Sequence, residues 1–434
     1  MSDFQQAALA LAAQQQSPTW LAPLRQTGAI AWQSANWPTR KTEHWKYTPL
    51  APLQKQRFAL AADASASASA FSDWIPLDAT RLVFVNGRLD AAASSELPAE
   101  VQFFTQADDQ ARALIQTHLG KVVEGDQHLF AQLSNALASD GVLLHLPRNA
   151  RLQKPLYLVH LSTPTATPSL AQTRLLVVLD EGASAQVIEH YVSSEQEQNG
   201  WVNNLTELVL GDNSELHHYR LHLEEEHLLH IGGVHAQLAR SARLRAFTLA
   251  QGSQLKRLDY QINHRGAGAD LNLQGIYLPR NKQLVDYHTN VQHCVPHCTT
   301  QEIFRGIIAD DAQAVFNGRI HILPDAQKTL AELSNKNLLT SPRAQVNTKP
   351  ELEIYADDVK CAHGATVSQL NATAMYYLQS RGLSRKEAEV MMSFGFINEL
   401  LQDLASPEVR DYLTPRIATL FGRDPQLLQT AQDE

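Results

Sequence analysis

Cysteine is scarce: three thiols, Cys294, Cys298 and Cys361, serve 434 residues. So sparse and odd a count does not read as a disulfide framework, and it places the chain in a reducing compartment. Long apolar runs are missing as well, since none approaches the roughly 20 residues needed to cross a bilayer. Before Arg25 there is no basic residue, while Asp3 is acidic, which is the wrong charge for a secretory or mitochondrial leader. A cytoplasmic location is expected. Positive charge is also in deficit: 36 Lys and Arg stand against 45 Asp and Glu, a net charge of -9. That balance argues against nucleic acid or an anionic membrane as the main partner. There is no G-x-x-x-x-G-K-[ST] loop, no G-x-S-x-G elbow and no H-E-x-x-H helix. Nothing points to a self-contained catalyst.

What is present is a chain long enough for two or three cores, because single cores stop growing at about 250 to 300 residues. Phe4, Ala7, Ala8, Leu11 and Ala12 recur at helical spacing and open a helical region over 1–60. Within it Trp37 to Leu50 interleaves aromatic with basic residues; in an acidic protein this reads as a packing or docking segment rather than a base-stacking one. An Ala/Ser stretch over 61–75 reads as a linker. The span 76–140 is mixed α/β. Arg81 to Gly87 predicts a strand and tight turn, and helical spacing returns across Ala111 to Leu119 and Leu129 to Leu137.

From 141 to 370 the sequence is strand after short strand, with turns that recur loosely. Gly182, Asn213 and Ser241 occupy equivalent turns at nearly even spacing. A period of roughly 20 to 50 residues built from strands and turns suggests a solenoid, whose coils bury their inner faces only by stacking on one another. A mainly β chain with a parallel β-helix core fits best; a β-sandwich or an antiparallel barrel remains open.

The chemistry-bearing residues fall in three places. In Tyr355 to Val367, Cys361 and His363 would lie about 7 Å apart on one face of a strand, close enough to share one soft metal. A four-coordinate site needs further ligands that this stretch does not supply, so it amounts to half a site; otherwise Cys361 is a small buried hydrophobe and His363 a satisfied strand-end histidine. The run His293-Cys294-Val295-Pro296-His297-Cys298 resembles a metal clasp. On a strand its two thiols would stand about 13 Å apart, and Pro296 argues against a helix, so only a loop gathers them. His217, His218 and His222 read as solvent-facing positions on a strand.

After Ser384, with Glu387 at the capping-box position, Ala388, Met391, Met392, Phe396, Leu400 and Leu404 form an apolar helical stripe. A second amphipathic segment runs from Val409 to Phe421. The 371–434 region is therefore helical, and its stripe either caps the solenoid or holds a partner.

Taken together, Asn337-Leu338-Leu339, Thr348 to Ile354, Tyr355 to Val367 and Tyr376 to Gly382 resemble the SufB/SufD family of iron-sulfur cluster assembly scaffolds. Pro38 to Leu50 resembles the SufD branch, and the chain lacks the clustered N-terminal cysteines of SufB-type members. The resemblance implies a right-handed parallel β-helix flanked by N-terminal and C-terminal helical regions. It implies a noncatalytic subunit paired with a SufB-type paralogue, with a SufC-type ATPase docked on the C-terminal helices and a homodimer when isolated. It also implies that His363, with Cys361, faces the paralogue and helps hold a transient iron-sulfur cluster shared between the chains. A rival reading is a stand-alone β-helix enzyme acting on polysaccharide through Asp357 and Asp358. Another is a metal-storing, cupin-like barrel.

Overall fold

A computed structural model describes residues 2–61, 68, 71–122, 128–195, 198–224 and 226–421. Most of the expected 61–75 linker, and 422–434 of the C-terminal region, lie outside the described residues.

The described strands form two sheets, one of 12 strands and one of 10, and from Leu228 to Gln369 successive strands alternate between them. Each long strand pairs in parallel with the next strand but one. Leu284–His293 lies between Leu255–His264 and Gln313–Ile322, with Leu284 opposite Gln313. In the other sheet Thr299 is opposite Leu330. Each such step is one coil, and about eight coils stack into a β-solenoid. Among strand pairs of the described residues, the antiparallel ones are confined to the beginning: Phe84–Val85 with Arg88–Leu89, and Val101–Phe103 with Val142–Leu144. A sandwich and a barrel are thereby ruled out, since neither sheet closes and the long strands all run parallel.

The turns noted in the sequence are one corner of this coil. Gly182, Asn213, Ser241, Gly268, His297 and Lys328 all have positive φ, between 56° and 75°. They stack through main-chain bonds, Gly182 N–H to Asp212 O at 2.8 Å, Asn213 N–H to Arg240 O at 2.8 Å and His297 N–H to Gln327 O at 2.9 Å. Only one residue per corner bends left-handed, so the modest cost to a residue with a Cβ arises once per coil.

Both faces of each sheet are apolar. Inside, Val177, Leu208, Val234, Leu258, Val285 and Phe316 belong to one continuous core. Outside, the N-terminal helices Asp3–Gln14 and Ala22–Ser34, with Leu129–Ala136, cover the first sheet through Trp32, Trp45, Phe130 and Leu133 against Trp201, Leu229 and Leu284. The Trp37 to Leu50 segment is a packing element: the Arg257 guanidinium sits 3.8 Å above Trp45, and Trp37 meets Trp32 edge-on at 6.1 Å.

The C-terminal helices Arg385–Gln402 and Pro407–Leu420 lie along the outer flank of the second sheet. Ile397, Leu401 and Leu413 pack there with Leu161, Leu221, Leu249 and Ile276. They do not close the solenoid, as the cap reading expected. The outward strand residues are apolar and need cover along the flank.

The histidines of strand Glu215–His222 also differ from expectation. His218 and His222 are buried, on the inward-facing parity with Leu216 and Arg220, and only His217 reaches partly to solvent. The reason is a buried carboxylate. Glu189 accepts from His218 at 2.8 Å, Thr206 at 2.8 Å and Tyr191 at 2.5 Å, and pairs with Arg220 at 3.1 Å. Burial pushes its pKa up, but Arg220 and His218 outweigh that and hold Glu189 below the usual carboxylate range.

Candidate functional site

The last coil has no neighbour. Gln345–Ile354 ends the first sheet and Lys360–Gln369 ends the second. Each is paired on one side only, so the outer edge offers a row of unpaired main-chain N–H and C=O groups. Every residue from Ala362 to Gln369 is exposed. The interior core also surfaces here, with Val346, Leu352, Val359 and Cys361 only partly covered. Exposed apolar side chains surround the mouth: Ile354 at 41%, Tyr355 at 60% and Val367 at 49%. The solenoid thus ends in a raw apolar mouth bordered by two free strand edges.

Cys361 and His363 stand in this end. In register, Cys361 lies on Ala331 and His363 on Leu333, and both partners point into the core. The two side chains therefore share the bore-facing side of the strand, as the period of two predicts. Cys361 is half-buried at the margin of the core; burial pushes its thiol up, with the Ala331 N–H pulling the other way. His363 is exposed, and next to it Gly364 has nothing within 4 Å of where a Cβ would stand. No third His, Cys, Asp or Glu among the described residues joins them to complete a metal-holding set. A soft metal centre held here needs ligands from outside the chain.

Asp357 and Asp358, the carboxylates a polysaccharide enzyme would use, form a corner instead. Asp358 pairs with Lys328, whose N–H also donates to the Asp358 carbonyl at 2.6 Å. The rim beside the mouth is charged, with Lys349 linking Glu43 at 2.6 Å and Glu351 at 2.8 Å, and Arg319 binding Glu353 at 2.6 Å.

The apolar stripe of the C-terminal helix splits in two. Ala388, Leu400 and Leu404 are buried in the chain's own structure, and Phe396 packs half-buried beside them. Leu400, Leu404 and Phe396 are taken up by the chain's own flank. Met391 is 47% exposed and Met392 half-buried, and these two remain available. The helix starts as expected: Ser384 Oγ accepts the Glu387 N–H at 3.2 Å, and Glu387 Oε2 accepts the Ser384 N–H at 2.7 Å. Among the described residues no helix is long and apolar enough to cross a membrane.

The hexapeptide His293 to Cys298 is divided by a corner. His293 and Cys298 turn inward and are fully buried, His297 is the left-handed corner residue, and Cys294 is half-buried. The partner that makes this motif meaningful, His264, lies one coil earlier, and local spacing gives no sign of it.

Comparison with known proteins matches residues 161–396 to the SUF system FeS cluster assembly SufBD core domain, and residues 3–158 to the SufBD protein N-terminal region. The chain is 31% identical to the iron-sulfur cluster assembly protein SufD of Escherichia coli over 382 residues, 88% of each chain. It is 30% identical over 393 residues to an iron-sulfur cluster assembly SufBD family protein of Synechocystis, covering 88% of this chain and 86% of that one. A chloroplastic protein of Arabidopsis thaliana is 26% identical over 411 residues, 92% of this chain and 86% of the relative.

Proposed function

The chain belongs to the SufBD family of iron-sulfur cluster assembly proteins, and on that premise we propose that it is a SufD-type scaffold subunit offering half of a cluster-holding contact. The other half comes from a SufB-type chain that docks on the open end of the solenoid. The observation that carries this reading is the position of His363: exposed, on an edge strand with one side unpaired, at the mouth of the bore, with no completing ligand among the described residues of its own chain. An imidazole nitrogen is a neutral ligand and exchanges more readily than a thiolate, which suits a cluster that must later leave. Cys361, half-buried two residues away, supplies a second donor once metal displaces its proton.

The subunit is noncatalytic in this scheme. A SufC-type ATPase docks near Met391 and Met392, and movement of the flank helices, which pack on the outside of the second sheet, is felt at the open end. Isolated from its paralogue, the same end pairs with a second copy of the chain. The setting is cytoplasmic.

The test is the complex co-expressed with its SufB-type and SufC-type neighbours. His363→Ala should leave the complex intact by size-exclusion chromatography and abolish or strongly lower iron and sulfide retained after anaerobic reconstitution. Cluster content equal to that of the unmutated complex would remove the ligand role.

A further inference from the structure

Inside the solenoid, where Leu284–His293 turns toward Thr299–Ile308, two imidazoles and a thiol converge. One ring nitrogen each of His264 and His293 and the Sγ of Cys298 lie within 4.8 Å of one another. We propose that His264, His293 and Cys298 form a binding site for a soft monovalent metal cation, Cu(I), separate from the open end and independent of the function proposed there.

The coil builds the trio. His264 and His293 are register partners on adjacent strands, so their rings stack with centroids 4.4 Å apart and planes 11° apart. Cys298 is delivered by the left-handed corner at His297, whose φ of 64° turns the chain just before it. All three side chains are fully buried.

Hydrogen bonding leaves these groups unfinished. Thr300 Oγ1 lies 2.9 Å from His264 Nε2 and 3.0 Å from His293 Nε2, so it occupies one nitrogen of each ring. Both Nδ1 atoms are buried with no partner. A buried polar atom left unpaired costs about 1–3 kcal/mol, which a bound ligand relieves. A hydroxyl oxygen has two lone pairs and accepts from both Nε2–H groups at once. That tautomer turns both Nδ1 lone pairs free, and an outer hydrogen-bond partner on the second ring nitrogen is the usual arrangement for metal-bound histidine. The Cys298 Sγ reaches Gly266 O at 3.5 Å and Pro296 O at 3.6 Å, with the Gly268 and Ala269 N–H groups also facing it.

Charge selects the ion. Binding releases the Cys298 proton to solvent, and a thiolate with Cu(I) sums to zero, so no net charge is buried. Zn(II) on the same donors leaves one positive charge in a cavity to which no carboxylate of the described residues belongs, and it needs a fourth ligand. Thiolate and imidazole are both good donors to copper. The other buried cluster, His222, Glu224 and His230, does not qualify, because Lys256 Nζ already sits 3.2 Å from Glu224 Oε2 and neutralises it.

The experiment uses the full chain carrying Cys294→Ser and Cys361→Ser, in which Cys298 is the sole thiol. Anaerobic titration with Cu(I), supplied as its acetonitrile complex against bicinchoninate, should give one equivalent bound and a sulfur-to-copper charge-transfer band in the near ultraviolet. Adding Cys298→Ser or His293→Gln should weaken binding by more than the roughly 100-fold that losing an outer hydrogen bond costs. Should those variants misfold, copper-edge X-ray absorption on the unmutated chain, loaded with one equivalent, should show one sulfur and two nitrogen ligands. Absence of binding, a stoichiometry unchanged by Cys298→Ser, a different donor set, or tighter Zn(II) binding on the same residues would overturn the proposal.

Discussion

A single proline on the open edge separates the contact with a partner from the fold of the chain itself. The Lys360 N–H donates to Thr329 O at 2.9 Å, so in this parallel ladder the N–H groups of residues 360, 362, 364, 366 and 368 point back into the sheet. Those of 361, 363, 365 and 367 point to the free edge. Ala365→Pro therefore deletes an outward donor and keeps every inward bond, and proline is tolerated at such positions of edge strands. If a SufB-type chain extends the sheet here, the change removes one hydrogen bond worth about 1 kcal/mol and strands a partner carbonyl at about 1–3 kcal/mol. The sum, about 2–4 kcal/mol, corresponds to roughly 30- to 1,000-fold in Kd. The neighbouring Gly364→Pro deletes an inward donor and should destabilise the chain even when alone. The assay is surface plasmon resonance against the purified partner, with circular dichroism and urea unfolding on each variant. Partner affinity unchanged by Ala365→Pro in a folded chain would refute strand-to-strand docking at this edge.

Glu302 is buried beside Thr289, and burial pushes its carboxyl from 4.5 up to about 7. Between those values the folded chain holds a proton that the unfolded chain has released, so stability should fall as pH rises through that window and stay low above it. Glu302→Gln should abolish that slope and add about 3 kcal/mol at pH 8, read by urea unfolding at pH 5 and pH 8. Met391→Glu should leave unfolding unchanged and weaken ATPase copurification, whereas Leu400→Ala should cost about 2–5 kcal/mol of stability whether or not an ATPase is present. Ser384→Ala breaks the capping box and should cost about 1 kcal/mol, seen as faster amide exchange confined to the first turn of Arg385–Gln402.

Much of the solenoid is legible because its corners repeat. Gly182, Asn213 and Ser241 carry the residue types that tolerate a left-handed turn or a tight one, and each marks one coil. The series is harder to follow past Gly268 because His297 and Lys328 do the same work with side chains that do not advertise it. Cys361 and His363 can be placed on one face from the period of two. Alternation tells which residues share a face and not which face is inside, and here both faces are apolar because helices cover the outer one. For that reason pattern alone assigns His218 and His222 to solvent, and leaves Leu400 and Leu404 open between a cap and a partner. His264 and Cys298 meet only through the stacking of coils, a distance in sequence that no local motif spans.

The two ends of the solenoid are unlike. At the beginning the ladders stop in antiparallel strands of two and three residues, Arg88–Leu89 and Val101–Phe103, while the far end presents strands of ten. Growth is possible in one direction only. A chain that joined the raw edge with an equivalent edge of its own would use up both, so such an assembly would stop at two solenoids.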